Sequence, residues 1–287
     1  MTKQEFLAEG KLDFTVSKQT MSVYESNGLY KDTPFFATVN NETKQALGSV
    51  KSAYTVMQNK ELLDLVLEKI GKDNYDLEDS SCGTFDKGRK VYMFIKYKKI
   101  DTDWGQEVAN CYVYALSSHD GSQKLTFGVA NKIHSCSNMF ALLMKDKERN
   151  HIAKHYSSAK DKASISLESL IEDNLKGVAS LMRTMQKHEI SYSNSFVCDV
   201  LDLVADSNRK RKGPDWESKR KAAESAVHEE MNQKGMTYYG LFNGITNYLT
   251  HKADLDLISN ITGKGSLISN KALQMIVKQM RETGCLN

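Results

Sequence analysis

The chain has 287 residues, 40% of them apolar and 26% charged, with a net charge of +3. These values suit a folded soluble chain with a substantial core and argue against a highly charged disordered one. No apolar run of about 18 residues occurs, so no membrane span is expected. The opening MTKQEFLAEGKLDF has acidic residues and no apolar stretch, which predicts neither a signal nor a transit peptide, and hence a cytoplasmic protein. Five cysteines, Cys82, Cys111, Cys136, Cys198 and Cys285, form no CxxC pair and read as reduced thiols. Two prolines, Pro34 and Pro214, favour long regular elements over extended linkers.

The first 45 residues read as polar and irregular, with two short strands. A strand and turn then lead into a helix capped at Asn59, with Leu62, Leu63, Val66, Leu67 and Ile70 as its apolar stripe and Gly71 as its stop. Three strand candidates follow: Lys90–Ile100, Glu107–Ser118 and Lys124–Cys136. Their short links, IDTDWGQ and HDGSQ, suit antiparallel neighbours. Alternation in the first puts Val91, Met93, Ile95 and Tyr97 on one face, and Tyr92, Phe94, Lys96 and Lys98 on the other. From Ser137 onward the pattern is helical. The longest amphipathic run carries Leu167, Leu170, Ile171, Leu175, Val178, Leu181, Met182 and Met185. The expected class is α+β: a central antiparallel β-meander followed by a helical C-terminal half. The expected organisation is an N-terminal irregular segment at 1–45, an α+β core at 46–150, and a helical region at 151–287 packed on that core.

His119 and Asp120 fall in a turn ahead of Gly121, and Cys136 and Asn138 fall at a corner. A His beside an Asp offers a general base or metal ligand, and a thiol at a helix start offers a nucleophile. Equally, Asp-Gly is turn chemistry, and a Cys beside Asn is a buried corner with its cap. The structural reading is preferred, with metal-dependent nucleic-acid processing through His119, Asp120 and Asn138 as the alternative; Asp101 or Asp103 would then complete the site. His151 and His155 have helical i, i+4 spacing but lack the zincin glutamate, so no metal is expected. GKG at 263–265 is no phosphate loop, and no cofactor is expected. Aromatic side chains interleaved with cations point to single-stranded nucleic acid, where bases stack on rings and cations follow phosphates. The candidate contacts are Arg89, Lys90, Tyr92, Phe94, Lys96, Lys98, Lys99, Tyr112 and Tyr114. A second basic run, Arg209, Lys210, Arg211 and Lys212, joins them.

The motifs LGSVKSAYTVMQN, GTFDKGRKVYMFIKY, SHDGSQKLTFG, IHSCSNMF and YYGLFNGITNYLTH occur in this order over about residues 45–255. Together they resemble the phage/plasmid-like protein family, long labelled a domain of unknown function. Its pattern falls here at Tyr54 with Gln58 and Asn59, Gly83 with Gly88, Ser118 to Gly121, Cys136 with Asn138, and Tyr248 with His251. The family's usual tryptophan-histidine-glycine opening is absent. The element order is also similar to the core of the single-strand annealing superfamily. These resemblances imply single-stranded DNA binding and annealing without ATP, for phage or plasmid recombination. They imply a homo-oligomer, ring or filament, with a phage or host single-strand-binding protein as a further partner. A phage-encoded module binding a host protein is the other alternative.

Overall fold

The computed structural model describes residues 1–26, 28–71, 73–98, 102–103, 108–133, 139–140, 151–153, 167–205, 215–255, 260 and 263–286. The fold is α+β, with antiparallel sheets and a helical C-terminal half. By internal contacts the chain forms two compact units, the first mainly residues 1–100 and 112–129, the second mainly 172–287.

In the first unit, α1 (Lys3–Glu9) begins at a capping box. The Glu5 amide donates to the Thr2 hydroxyl at 3.2 Å, and the Glu5 carboxylate accepts from the Thr2 amide at 2.7 Å. β1 (Val16–Tyr24) and β2 (Tyr30–Asn40) form an antiparallel hairpin, and β3 (Ala46–Lys51) pairs with β2 in the order β1-β2-β3. The register of β3 ends at the Phe35–Lys51 pair. Beyond it, residues 21–24 and 30–34 continue as a two-stranded arm. The N-terminal region therefore differs from the irregular reading: it holds a helix and strands of nine and eleven residues. Gly28, at φ 81°, permits the reversal between them.

α2 (Asn59–Ile70) buries the expected stripe, Leu62, Leu63, Val66, Leu67 and Ile70, and ends at Gly71. Each such side chain contributes about 1.5–3 kcal/mol by leaving water. The helix starts one residue earlier than expected: Gln58 takes the N-cap position and frees Asn59 for other work. β4 (Tyr75–Phe85), β5 (Lys90–Tyr97), β6 (Thr102–Asp103), β7 (Val108–Ser118) and β8 (Leu125–Ile133) follow. They belong to a seven-stranded sheet with β5 between β4 and β7 and with β8 beyond β7. The three expected strands are all present and antiparallel where expected. After β8 the chain does not turn helical at once; β9 (Met139–Phe140) and β10 (His151–Ala153) both pair with β8. The helical i, i+4 spacing read for His151 and His155 thus does not apply, because His151 is in a strand; His155 lies outside the described residues.

The second unit is built on α3 (Leu167–Lys187), α4 (Ser195–Ala205), α5 (Trp216–Lys234), α6 (Tyr238–Asn247) and α7 (Lys264–Glu282). A π-helical turn, Tyr248–Lys252, extends α6. Val178, Met182, Val200, Val227, Tyr239, Ile245 and Ile276 lie at its buried centre. No helix is long and apolar enough to cross a membrane among the described residues.

Candidate nucleic-acid interface

The rings expected to stack on bases are mostly core. Phe94, Tyr112 and Tyr114 are 0%, 5% and 1% exposed, so no base reaches their faces in this structure. Alternation had set Phe94 on an open face, but Met93, Phe94 and Ile95 are buried in succession, which means both faces of β5 are covered there. Glycines make this possible. A Cβ on Gly83 would lie 2.6 Å from the Tyr92 hydroxyl oxygen, and one on Gly128 would lie 2.4 Å from the Tyr114 ring. The two rings lie across neighbouring strands where no side chain stands. Tyr92 is half-buried and stacks on Phe85, centroids 4.8 Å apart.

The cations divide into two groups. Lys96 pairs with Asp79 at 2.5 Å, and that hydrogen bond raises its pKa. Lys90 pairs with Asp86 at 2.8 Å. By contrast, Lys87, Arg89 and Lys98 are exposed and have no carboxylate partner among the described residues. Lys87 and Arg89 sit on the β4–β5 turn. Asp86, Lys87 and Gly88 are at φ 49°, 59° and 88°, so the turn holds a left-handed path that presents two cations. Lys99, Arg209, Lys210, Arg211, Lys212, Cys136 and Asn138 lie outside the described residues.

A buried polar junction supports that turn. The His119 amide donates to the Arg89 carbonyl at 2.7 Å, tying the β7–β8 hairpin to the basic turn. Its imidazole is 1% exposed, with Nε2 3.0 Å from Asn59 Oδ1 and Phe14 edge-on at 5.7 Å. Asn59 Nδ2 donates to the carbonyls of Leu12 at 3.0 Å and Phe14 at 3.3 Å. Beside it, Gln58 brackets Val16, accepting from its amide at 3.0 Å and donating to its carbonyl at 2.8 Å. The Tyr54 hydroxyl donates to the Ser118 carbonyl at 2.5 Å. Burial, then the charge of Asp120, pushes its phenol well above the ordinary tyrosine range.

Asp120 closes the turn, accepting from the Ser122 amide at 2.9 Å. Burial pushes its carboxyl up, but hydrogen bonds from Ser122, Ser118 and its own backbone outweigh this and hold it below the ordinary range. A Cβ on Gly48 would lie 2.4 Å from the Asp120 Cβ, so β3 can run against this turn only with glycine there. Tyr54, Gln58, Asn59, Ser118, His119, Asp120 and Gly121, which lie far apart in sequence, thus meet in one place. Their groups face each other and the backbone. Among the described residues no cluster of three His, Cys, Asp or Glu side chains is placed to hold a metal.

Sequence reasoning missed one surface. Met21, Val23, Tyr24, Leu29, Tyr30 and Phe35 are six of the nine large apolar side chains most exposed among the described residues, and all belong to the β1–β2 hairpin. The signal was Asn27-Gly28 between two β-rich runs, a strong hairpin marker.

Residues 46–282 match the family model described as Domain of unknown function (DUF932). No curated protein and no solved structure matches the chain. The junction, save for its contacts to Leu12, Phe14 and Val16, falls inside the matched range, and the arm precedes it. The match spans well over half of the sequence, and the chain belongs to this DUF932 family.

Proposed function

We propose that the chain binds single-stranded DNA and anneals complementary strands without ATP, as an oligomer acting in phage or plasmid recombination. The observation that carries this reading is the basic turn. Two exposed cations, Lys87 and Arg89, stand without carboxylate partners among the described residues, on a backbone fixed by left-handed residues and by the His119 amide. A held backbone keeps the two cations at a set spacing, which lowers the cost of ordering them on phosphates. A phosphate-reading turn suits a ligand recognised by backbone rather than sequence, as annealing requires. The buried rings of β5 and β7 have no part in it; they stiffen the sheet from which the turn projects.

The test is single-strand affinity across a salt series, for the parent and for Lys87→Ala with Arg89→Ala. Each phosphate contact contributes about 0.7 to the slope of log affinity against log salt. The double variant should lose about twice that slope, and it should anneal a labelled complementary pair more slowly without ATP. A parent that binds no single strand at low salt, or a variant with unchanged slope, contradicts the reading.

A further inference from the structure

We infer that the open edge of β1 is a docking strand for a second copy of this chain, so that two β1–β2–β3 sheets join across a two-fold axis. This deepens the oligomeric part of the proposed function, yet its evidence is separate from DNA binding.

The first observation is the arm itself. Residues 21–24 and 30–34 extend past the end of β3 as a two-stranded ribbon. Such ribbons are marginal in water alone. This one exposes Tyr24 at 67%, Tyr30 at 76%, Leu29 at 65% and Val23 at 51%. The Tyr24 and Tyr30 rings pair at 5.2 Å, but nothing covers either from outside among the described residues.

The second observation is how unequally its two edges are protected. On β2, where β3 has stopped, stand Lys31, Asp32 and Pro34, the residue types that block strand addition. On β1 the run Thr20–Tyr24, TMSVY, has no charge and no proline; its one irregularity is the register shift between Thr20 and Ser22. At the other end of the strand the Gln58 amide brackets Val16 and closes the edge there. Beyond it, β1 is the edge strand of its sheet.

Charge selects the occupant. Lys18 and Lys31 balance Glu25 and Asp32 within residues 16–40, and Lys31 already pairs with Glu25 at 3.6 Å. Lys18 is turned inward, donating to the Ser52 and Tyr54 carbonyls at 2.7 and 3.0 Å. With no surplus cation, the arm lacks what attracts a polyphosphate or an anionic membrane. An uncharged edge meets its own copy without opposing like charges. Antiparallel pairing about Ser22 is isologous: Met21 faces Val23 of the partner subunit, and Thr20 faces Tyr24 of the partner subunit. One such edge joins two chains; a ring or filament needs a second surface.

The experiment measures the mass of the full chain in solution. The parent should run as a dimer or a multiple of it. Met21→Lys with Val23→Lys, and separately Met21→Glu with Val23→Glu, should each halve that mass while melting like the parent. Mixing the two variants should restore it, because each lysine then faces a glutamate. A monomeric parent, variants that stay associated, or a mixture that stays dissociated overturns the proposal. So does a monomeric parent whose single-strand affinity falls with Tyr24→Ala, which would make the arm a nucleic-acid contact. Loss of DNA binding in a chain that still dimerises counts against the proposed function alone.

Discussion

The His119 junction and the β1–β2 arm place side chains in opposite ways, each against the general rule. At the junction, Asn59 and His119 are polar and 2% and 1% exposed; on the arm, Tyr24 and Tyr30 are aromatic and 67% and 76% exposed. The first arrangement holds because Asn59 bonds both the His119 Nε2 and two backbone carbonyls, which offsets much of the cost of burying them. The second has no such compensation among the described residues: its rings pair with each other and otherwise face outward. A buried polar cluster thus fixes architecture, and an exposed apolar ribbon offers contact. The family match separates the two in the same way, since it begins at residue 46, past the arm.

The comparison breaks first at Asn59. Its amide bonds the Leu12 and Phe14 carbonyls and the His119 ring, so Asn59→Ala strands two buried groups and one half-buried group at once. We expect a loss of about 3 kcal/mol, read as a lower urea midpoint at unchanged slope. A loss below about 1 kcal/mol would mean the junction is not the fastening point.

A smaller effect is expected with pH. The Asp120 carboxyl is held below its ordinary 3.8, so the folded state favours its ionised form. That stability is present above the unfolded pKa and disappears as pH falls through the lower folded value. Asp120→Asn should therefore narrow the gap in melting temperature between about pH 6 and about pH 3. An unchanged gap would show that the turn does not depend on the charge.

The arm should respond least. Tyr24→Ser with Tyr30→Ser removes a solvated ring pair, and we expect thermal stability to change by less than about 0.5 kcal/mol at concentrations where the chain is a monomer. A larger loss there would mean that the arm belongs to the fold and is not a surface for a partner.

Much of this was legible in the sequence. Period-3.6 spacing located α2 with its stripe from Leu62 to Ile70, alternation located β5 and β8, and aromatic and β-branched richness located β7. Alternation also told which residues share a face, but not whether that face is covered, and so Phe94 and Tyr114 read as a platform while lying in the core. Gly83 and Gly128, small positions beside rings on adjacent strands, held the missing information, but it becomes visible only once the register is known. The motif residues were found one by one; that Tyr54, Asn59 and His119 converge depends on contacts about 60 residues apart in sequence, which no local pattern carries. The arm was missed for a different reason: its Asn-Gly turn was in plain view within a segment read as irregular.

The central proposal is that the His119 imidazole fastens the junction through Asn59 and has no catalytic role, while its amide, which an alanine keeps, holds the Arg89 carbonyl of the basic turn. The direct measurement is His119→Ala, melted in parallel with the parent and assayed for single-strand binding and for nuclease activity with and without magnesium or zinc. We predict a loss of about 1–2 kcal/mol, from the unpaired Asn59 and the vacated space beside Phe14, with near-parental affinity in the protein that remains folded. A variant that melts like the parent and loses a metal-dependent activity would contradict the account.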